Sequence, residues 1–245
     1  MRVGVYVDGF NLYYGGVGLA GEHNVAGWRW LDIRQLAANL VARQKMWADA
    51  TINRVVYCTA RITANPNKPQ ASRDQLTYLA ALRASGSVDW IEYGRYVDRV
   101  NHNPLAVRDT KGKPVIVTSQ WPVCIHDTTD QEVHDASFMV SVARREEKGS
   151  DVNVVTHLLL DTLRGVIDAA LVISNDSDLA LPVAEARSVI PVGVINPTSN
   201  YMAGALQPPK KALNRLHWGV SLAFQDLEAA QLPALVGRRV KPVGW

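Results

Sequence analysis

The chain has 245 residues, 47% hydrophobic and 20% charged, a globular balance that excludes a disordered chain. No apolar run approaches the roughly 18 residues of a membrane span, Asp8 interrupts any secretory apolar segment, and two cysteines make no disulfide scaffold, so a reducing cytoplasm is the expected address. The net charge of +3 conceals a division: residues 114–199 carry five Lys/Arg against twelve Asp/Glu, and the remainder is basic.

Val3–Val7 is a short apolar, β-branched run and reads as a buried strand. Asp32–Arg43 places apolar residues at 33, 36, 37, 40 and 41, which predicts a helix capped by Asp32. Ile52–Thr59 reads as a strand, Ala71–Ala84 as a helix and Val88–Tyr96 as a strand. Asp98–His134 is rich in Asn, Asp, Thr, Lys and Pro and reads as an insertion, with a strand-like Pro114–Ile125 that forms a hairpin with Ser137–Arg145. Asp151–Arg164 is predicted helical, Ala169–Ser174 a buried strand, Asp178–Arg187 a helix and Ile190–Ile195 another buried strand. This alternation predicts a mostly parallel sheet covered by helices on both faces. Beyond a main domain of residues 1–200, residues 201–245 read as a helical appendage, with one or two helices in Lys210–Leu227 and an extended basic tail, LVGRRVKPVGW.

Ligands of open parallel sheets bind outside the carboxyl ends of the strands, so the polar residues that directly follow apolar strands are the candidates for a site. Asp8-Gly9-Phe10-Asn11 follows the first strand, and Ser174-Asn175-Asp176-Ser177-Asp178 follows Ala169–Ile173. Asp151 opens its helix after Glu147-Lys148-Gly149-Ser150. Carboxylates gathered at one edge repel unless protons or a cation neutralise them, and hard divalent ions favour oxygen ligands. Each acid, taken alone, also has the reading of a turn former or helix cap.

Three blocks together resemble the NYN domain family of the PIN-like nuclease superfamily: VYVDGFNLYYG at 5–15, EKGSDVNVVTHLLLDTL at 147–163 and ALVISNDSDLALPV at 170–183. The resemblance implies a Rossmann-like, PIN-like three-layer fold and a metal-dependent endoribonuclease, a hydrolase using Mg²⁺ or Mn²⁺ on single-stranded or structured RNA. By position it implies Asp8, Asp151, Asp176 and Asp178 as metal-binding and catalytic acids. Asn11 would order substrate or a ligand water, Ser174 would support the carboxylates, and Lys148 would contact phosphate. Asp161 falls at the family's second acidic position of that helix, either behind the metal ligands or solvated. Metal-activated water would attack the phosphodiester in line, leaving 5′-phosphate and 3′-hydroxyl ends. The alternatives are a non-catalytic RNA-binding or regulatory module on the same fold, and a DNA nuclease. A homo-oligomer or a protein regulator is a further partner class.

Other features point less far. Gly16–Gly21 fits G-x-G-x-x-G but begins too far from the strand for a dinucleotide fingerprint, and reads as a loop beside the site. Cys58, Cys124, His126 and His134 lack the spacing of a structural zinc site. Tyr13, Tyr14, Trp28 and Trp30 either stack bases or pack the first helix on the sheet. Arg95, Arg99, Arg108, Lys111 and Lys113, with Lys210, Lys211, Arg215, Arg238, Arg239 and Lys241, form either a phosphate-tracking stripe or an ordinary solvated surface.

Overall fold

Val3, Val5 and Val7 alternate with Gly4 and Tyr6 along β1 (Arg2–Asp8), and this two-residue period divides the interior. The valines enter one apolar core and Tyr6 enters the other. The computed structural model describes residues 1–23, 27–62, 69–119, 124–209 and 216–245. After β1 come α1 (Gly9–His23), α2 (Ile33–Ala42), β2 (Thr51–Ala60), α3 (Pro69–Ala84) and β3 (Trp90–Pro104). Two short strands follow, β4 (Ala106–Arg108) and β5 (Pro114–Ile116), and then β6 (Met139–Lys148). The second half holds α4 (Ser150–Leu163), β7 (Ala169–Ile173), α5 (Ala180–Val189), β8 (Val192–Asn196), β9 (Trp218–Ser221), α6 (Phe224–Glu228), β10 (Leu235–Val236) and β11 (Arg239–Val240).

The main sheet has the order β6-β3-β2-β1-β7-β8-β9, and the β3-β2-β1-β7-β8-β9 pairs are parallel. Helices cover both faces. One core gathers β1, α2 and α3 around Trp30, Leu36 and Leu82, and the other gathers α4 and α5 around Tyr6, Leu158 and Val183. The protein is therefore an α/β protein with a mostly parallel central sheet in three layers. The chain steps outward from β1 to β2 and β3, then returns to the other side of β1 with β7, β8 and β9. The direction of strand order thus reverses between β1 and β7, where crevices form in open α/β sheets.

The predicted helix at Asp32 is present, and the Asp32 carboxylate accepts the Gln35 amide at 3.0 Å as its cap. Other expectations are corrected. Gly16–Gly21 is not a loop but the body of α1. Packing explains two of the helix's glycines: a Cβ on Gly15 would stand 2.2 Å from the Pro197 carbonyl oxygen, and one on Gly16 would stand 2.3 Å from the Trp28 ring. The helical reading of Lys210–Leu227 fails over Trp218–Ser221, which is β9 and extends the main sheet beside β8, while α6 is helical. Burial of Trp218 against Gly193 fixes this placement, and no local period announces it. Residues 210–215, including Lys210, Lys211 and Arg215, lie outside the described residues. The tail forms the β10–β11 hairpin, and Trp245 packs edge-on against Trp30.

By its contacts the chain divides into two compact units, Met1–Arg95 with Glu147–Trp245, and Tyr96–Glu146. In the second unit the predicted strand Pro114–Ile125 holds β5, which pairs antiparallel with β4, and Thr118 bridges antiparallel to Ser137; residues 120–123 of that expected strand lie outside the described residues. The partners expected for a longer hairpin, Ser137–Arg145, lie mostly in β6 instead. Asp109 accepts the amides of Lys111 and Lys113, and Asp127 those of Thr129 and Gln131, so side-chain-stapled turns interrupt the strands.

Candidate active site

The cleft at the β1–β7 switch point belongs entirely to the first unit. Asp8 ends β1 and is 6% exposed. Its Oδ1 accepts the backbone amides of Phe10 (3.1 Å) and Asn11 (3.0 Å), which caps the start of α1, and its Oδ2 accepts the Ser174 hydroxyl at 3.2 Å. Burial raises the Asp8 pKa above the usual carboxylate range. The Asn11 and Ser174 hydrogen bonds oppose this, and the nearby Asp176 charge adds to it.

Ser174 is fully buried, and its hydroxyl also accepts the Asp176 amide at 3.1 Å. Asn11 accepts the Asn175 amide at 2.9 Å and so ties the start of α1 to the end of β7. Asp176 caps the short turn Ser177–Leu179 by accepting the Asp178 amide at 3.0 Å, and still lines the cleft. Asp178 is exposed, is not a lining residue, and does not cap α5, which begins at Ala180.

The opposite wall is the start of α4. Gly149 adopts φ 97°, a left-handed backbone that glycine reaches without strain, and this turns the chain from β6 into the helix. Glu147 then accepts the Ser150 hydroxyl (2.7 Å) and amide (3.2 Å) and holds the first turn. Glu147, Lys148 and Asp151 all line the cleft. The third wall is the segment after β8. Asn175 donates to Thr198 (3.3 Å) and to the Tyr201 carbonyl (3.1 Å) and accepts the Ala203 amide (2.7 Å). Asn196 accepts the Thr198 amide and donates to the Asn200 carbonyl. The open cleft has a volume of about 860 Å³.

Of the residues expected at the site, Asp8, Asn11, Lys148, Asp151 and Asp176 meet at the cleft, and Ser174 stands behind Asp8. Glu147 and Asn175 lie inside the recognised blocks without being singled out there, and sequence reasoning missed Asn196, whose polar character at the end of an apolar strand was the available signal. Asp161 is 4% exposed and belongs elsewhere: it accepts the Tyr6 hydroxyl at 2.9 Å and pairs with Arg54 at 2.9 Å, clamping α4 to β1 and β2. Trp28 and Trp30 are core residues, whereas Tyr14 is 66% exposed at the cleft rim and contacts Tyr13 edge-on.

The expected four-aspartate ligand set for Mg²⁺ or Mn²⁺ is not assembled. Among the described residues, no three His, Cys, Asp or Glu side chains are grouped to hold a metal ion. Asp178 is not among the residues that line the cleft.

No family model matches the chain. Over 264 aligned residues it is 28% identical to 6-hydroxy-3-succinoylpyridine 3-monooxygenase HspA of Pseudomonas putida, covering 100% of this chain and 75% of that protein. The crystal structure of a protein of unknown function from Vibrio parahaemolyticus RIMD 2210633 aligns over 94% of this chain and 96% of its own, with TM-score 0.45 and 16% identity. The similarity to a protein named a monooxygenase overturns the expected metal-dependent endoribonuclease and its Mg²⁺ or Mn²⁺ cofactor. Among the described residues, no helix is long and apolar enough to cross a membrane.

Proposed function

We propose that the cleft between β1, β7 and the start of α4 is the active site of an oxidoreductase of the monooxygenase kind, acting on a small hydroxylated aromatic heterocycle. The observation that carries the reaction class is the similarity to the Pseudomonas putida monooxygenase along the whole chain. The cleft supports it, because about 860 Å³ suits a small organic ligand. Such a reaction places one atom of dioxygen on the ring and reduces the other to water, with two electrons from a reduced nicotinamide.

This chain's own contribution is binding and proton handling. Asp8, made more basic by burial, takes the proton of the ring hydroxyl and so pushes electron density into the ring carbon that is oxygenated. Ser174 and the amides of Phe10 and Asn11 hold its carboxylate in place. Asn11, Asp151 and Asp176 offer acceptors to ring N–H and O–H groups, Lys148 attracts an acidic substituent, and Tyr14 gives the ring a face to stack on. The three NYN-like blocks build most of this cleft, which supports placing the fold beside the NYN-type, PIN-like domains without their metal-dependent cleavage. Cys58 and Cys124 are both free thiols, which suits the cytoplasm as the proposed address.

The test is a panel of hydroxypyridines with and without carboxylate substituents, incubated with reduced nicotinamide and heavy-isotope dioxygen and read by mass spectrometry. The expected result is a product carrying one heavy oxygen, lost in Asp8→Asn. Absence of any oxygenated product across the panel, with flavin and nicotinamide both supplied, refutes the proposal.

A further inference from the structure

The unit Tyr96–Glu146 has almost no interior. Ser119 is its buried residue among those described, and no residue from it enters either apolar core. Instead it exposes apolar side chains, including Val100 (65%), Val107 (57%), Ile116 (54%) and Met139 (60%). Two-stranded β structure without a packed face is marginal in water, so these side chains call for a cover. The unit carries six Lys/Arg and seven Asp/Glu, so two copies would not repel.

β6 is the terminal strand of the main sheet. Its sequence falls into two halves, uncharged Met139-Val-Ser-Val-Ala143 and charged Arg144-Arg-Glu-Glu-Lys148. Charged residues blunt an edge strand against pairing, and the first half lacks them while all five of its residues are exposed. We propose that this chain forms a two-fold dimer in which Met139–Ala143 pairs antiparallel with the same segment of a second copy, centred on Ser141.

The register follows from geometry. Ser141 meets His102 at 3.0 Å and Arg145 meets Asp98 at 2.7 Å on one face of the ribbon, so Val140 and Val142 project from the other. A two-fold axis perpendicular to a sheet keeps each residue on its own face, so only pairs whose numbers sum to an even value can oppose. Centring on Ser141 sets Val140 against the partner's Val142, twice, and Met139 against the partner's Ala143. Centring on Arg144 or Arg145 would set an arginine against itself. The exposed valines thereby gain cross-strand neighbours, and the open backbone edge gains hydrogen-bond partners.

Sedimentation equilibrium from about 1 µM to about 100 µM, the range in which weak homodimers dissociate, reads the association. The wild type should dimerise, and the double variant Val140→Lys/Val142→Lys should weaken the dimer at least tenfold with an unchanged circular-dichroism spectrum. Mixing it with Val140→Glu/Val142→Glu should restore a heterodimer, because this register opposes each lysine with a glutamate. In a Cys124→Ser background, Ser141→Cys should form an intermolecular disulfide in air, and this arm stands if the lysine variant does not fold. A monomer throughout the range, or a dimer indifferent to the lysines with no cross-link through S141C, overturns the proposal.

Discussion

Asp161 is the acid whose role the structure changes most, and removing it gives a quantitative test of the fold. Its carboxylate accepts the buried Tyr6 hydroxyl at 2.9 Å and pairs with Arg54 at 2.9 Å, with side-chain exposures of 6% for Asp161 and 23% for Arg54. Asp161→Ala leaves the Tyr6 hydroxyl without its acceptor inside a closed core and the guanidinium without its counter-charge. Losing a hydrogen bond to a charged group destabilises by about 1.5–3 kcal/mol, and stranding one partner of a fully buried pair by about 3–5 kcal/mol. Arg54 keeps partial solvent access and a contact with His157 at 3.3 Å, so the lower part of this range applies, about 3 kcal/mol in total. For a chain of this size that corresponds to a fall in melting temperature of roughly 6–12 °C. Urea unfolding followed by tryptophan fluorescence measures it, and Asp161→Asn, which keeps an acceptor for Tyr6, should lose about half as much. Because Asp161 is not a lining residue of the cleft, ligand affinity of the folded fraction should be unchanged. A loss under about 0.5 kcal/mol, the scale of an ordinary surface substitution, would refute the clamp.

Two further outcomes separate site from scaffold. Burial raises the folded-state pKa of Asp8, so the ionised carboxylate opposes folding: stability linked to this group is complete below its unfolded value of 3.8 and is lost as pH rises through the higher folded value. Asp8→Asn should therefore raise the melting temperature at neutral pH, with the gain vanishing below about pH 3.8, while abolishing turnover; equal melting curves at both pH values would show that Asp8 is not strained. Asn175→Ala removes the bonds that hold Thr198, Tyr201 and Ala203, so amide hydrogen exchange across 198–203 should accelerate about fivefold or more, and unchanged exchange would show that the wall is held otherwise.

The architecture was largely legible because it rests on local periods. Buried strands such as Ala169–Ile173 and Val192–Asn196 are apolar runs that water excludes wherever they fall, and α2 carries its own spacing and cap. That Asp8 and Asp176 line the cleft was legible because a polar residue directly after a buried strand must emerge at the sheet edge. Asp151 was legible because it opens a helix. β9 was not legible, since Trp218–Ser221 is a strand only by virtue of docking on β8. Gly16 was not legible as a helix residue because its purpose, the close approach of Trp28, exists only in three dimensions.

The sequence by itself determined an α/β chain with a parallel sheet and acids at its carboxyl edge, because hydrophobic period and strand-end polarity are properties of neighbouring residues. Tertiary structure decided what each acid does. Pairing β1 with β7 buries Asp8 against Ser174, whereas α4 carries Asp161 to Arg54 and Tyr6, and Asp178 is left in solvent. A carboxylate's chemistry is set by its desolvation and its partners, and those come from segments distant in the chain.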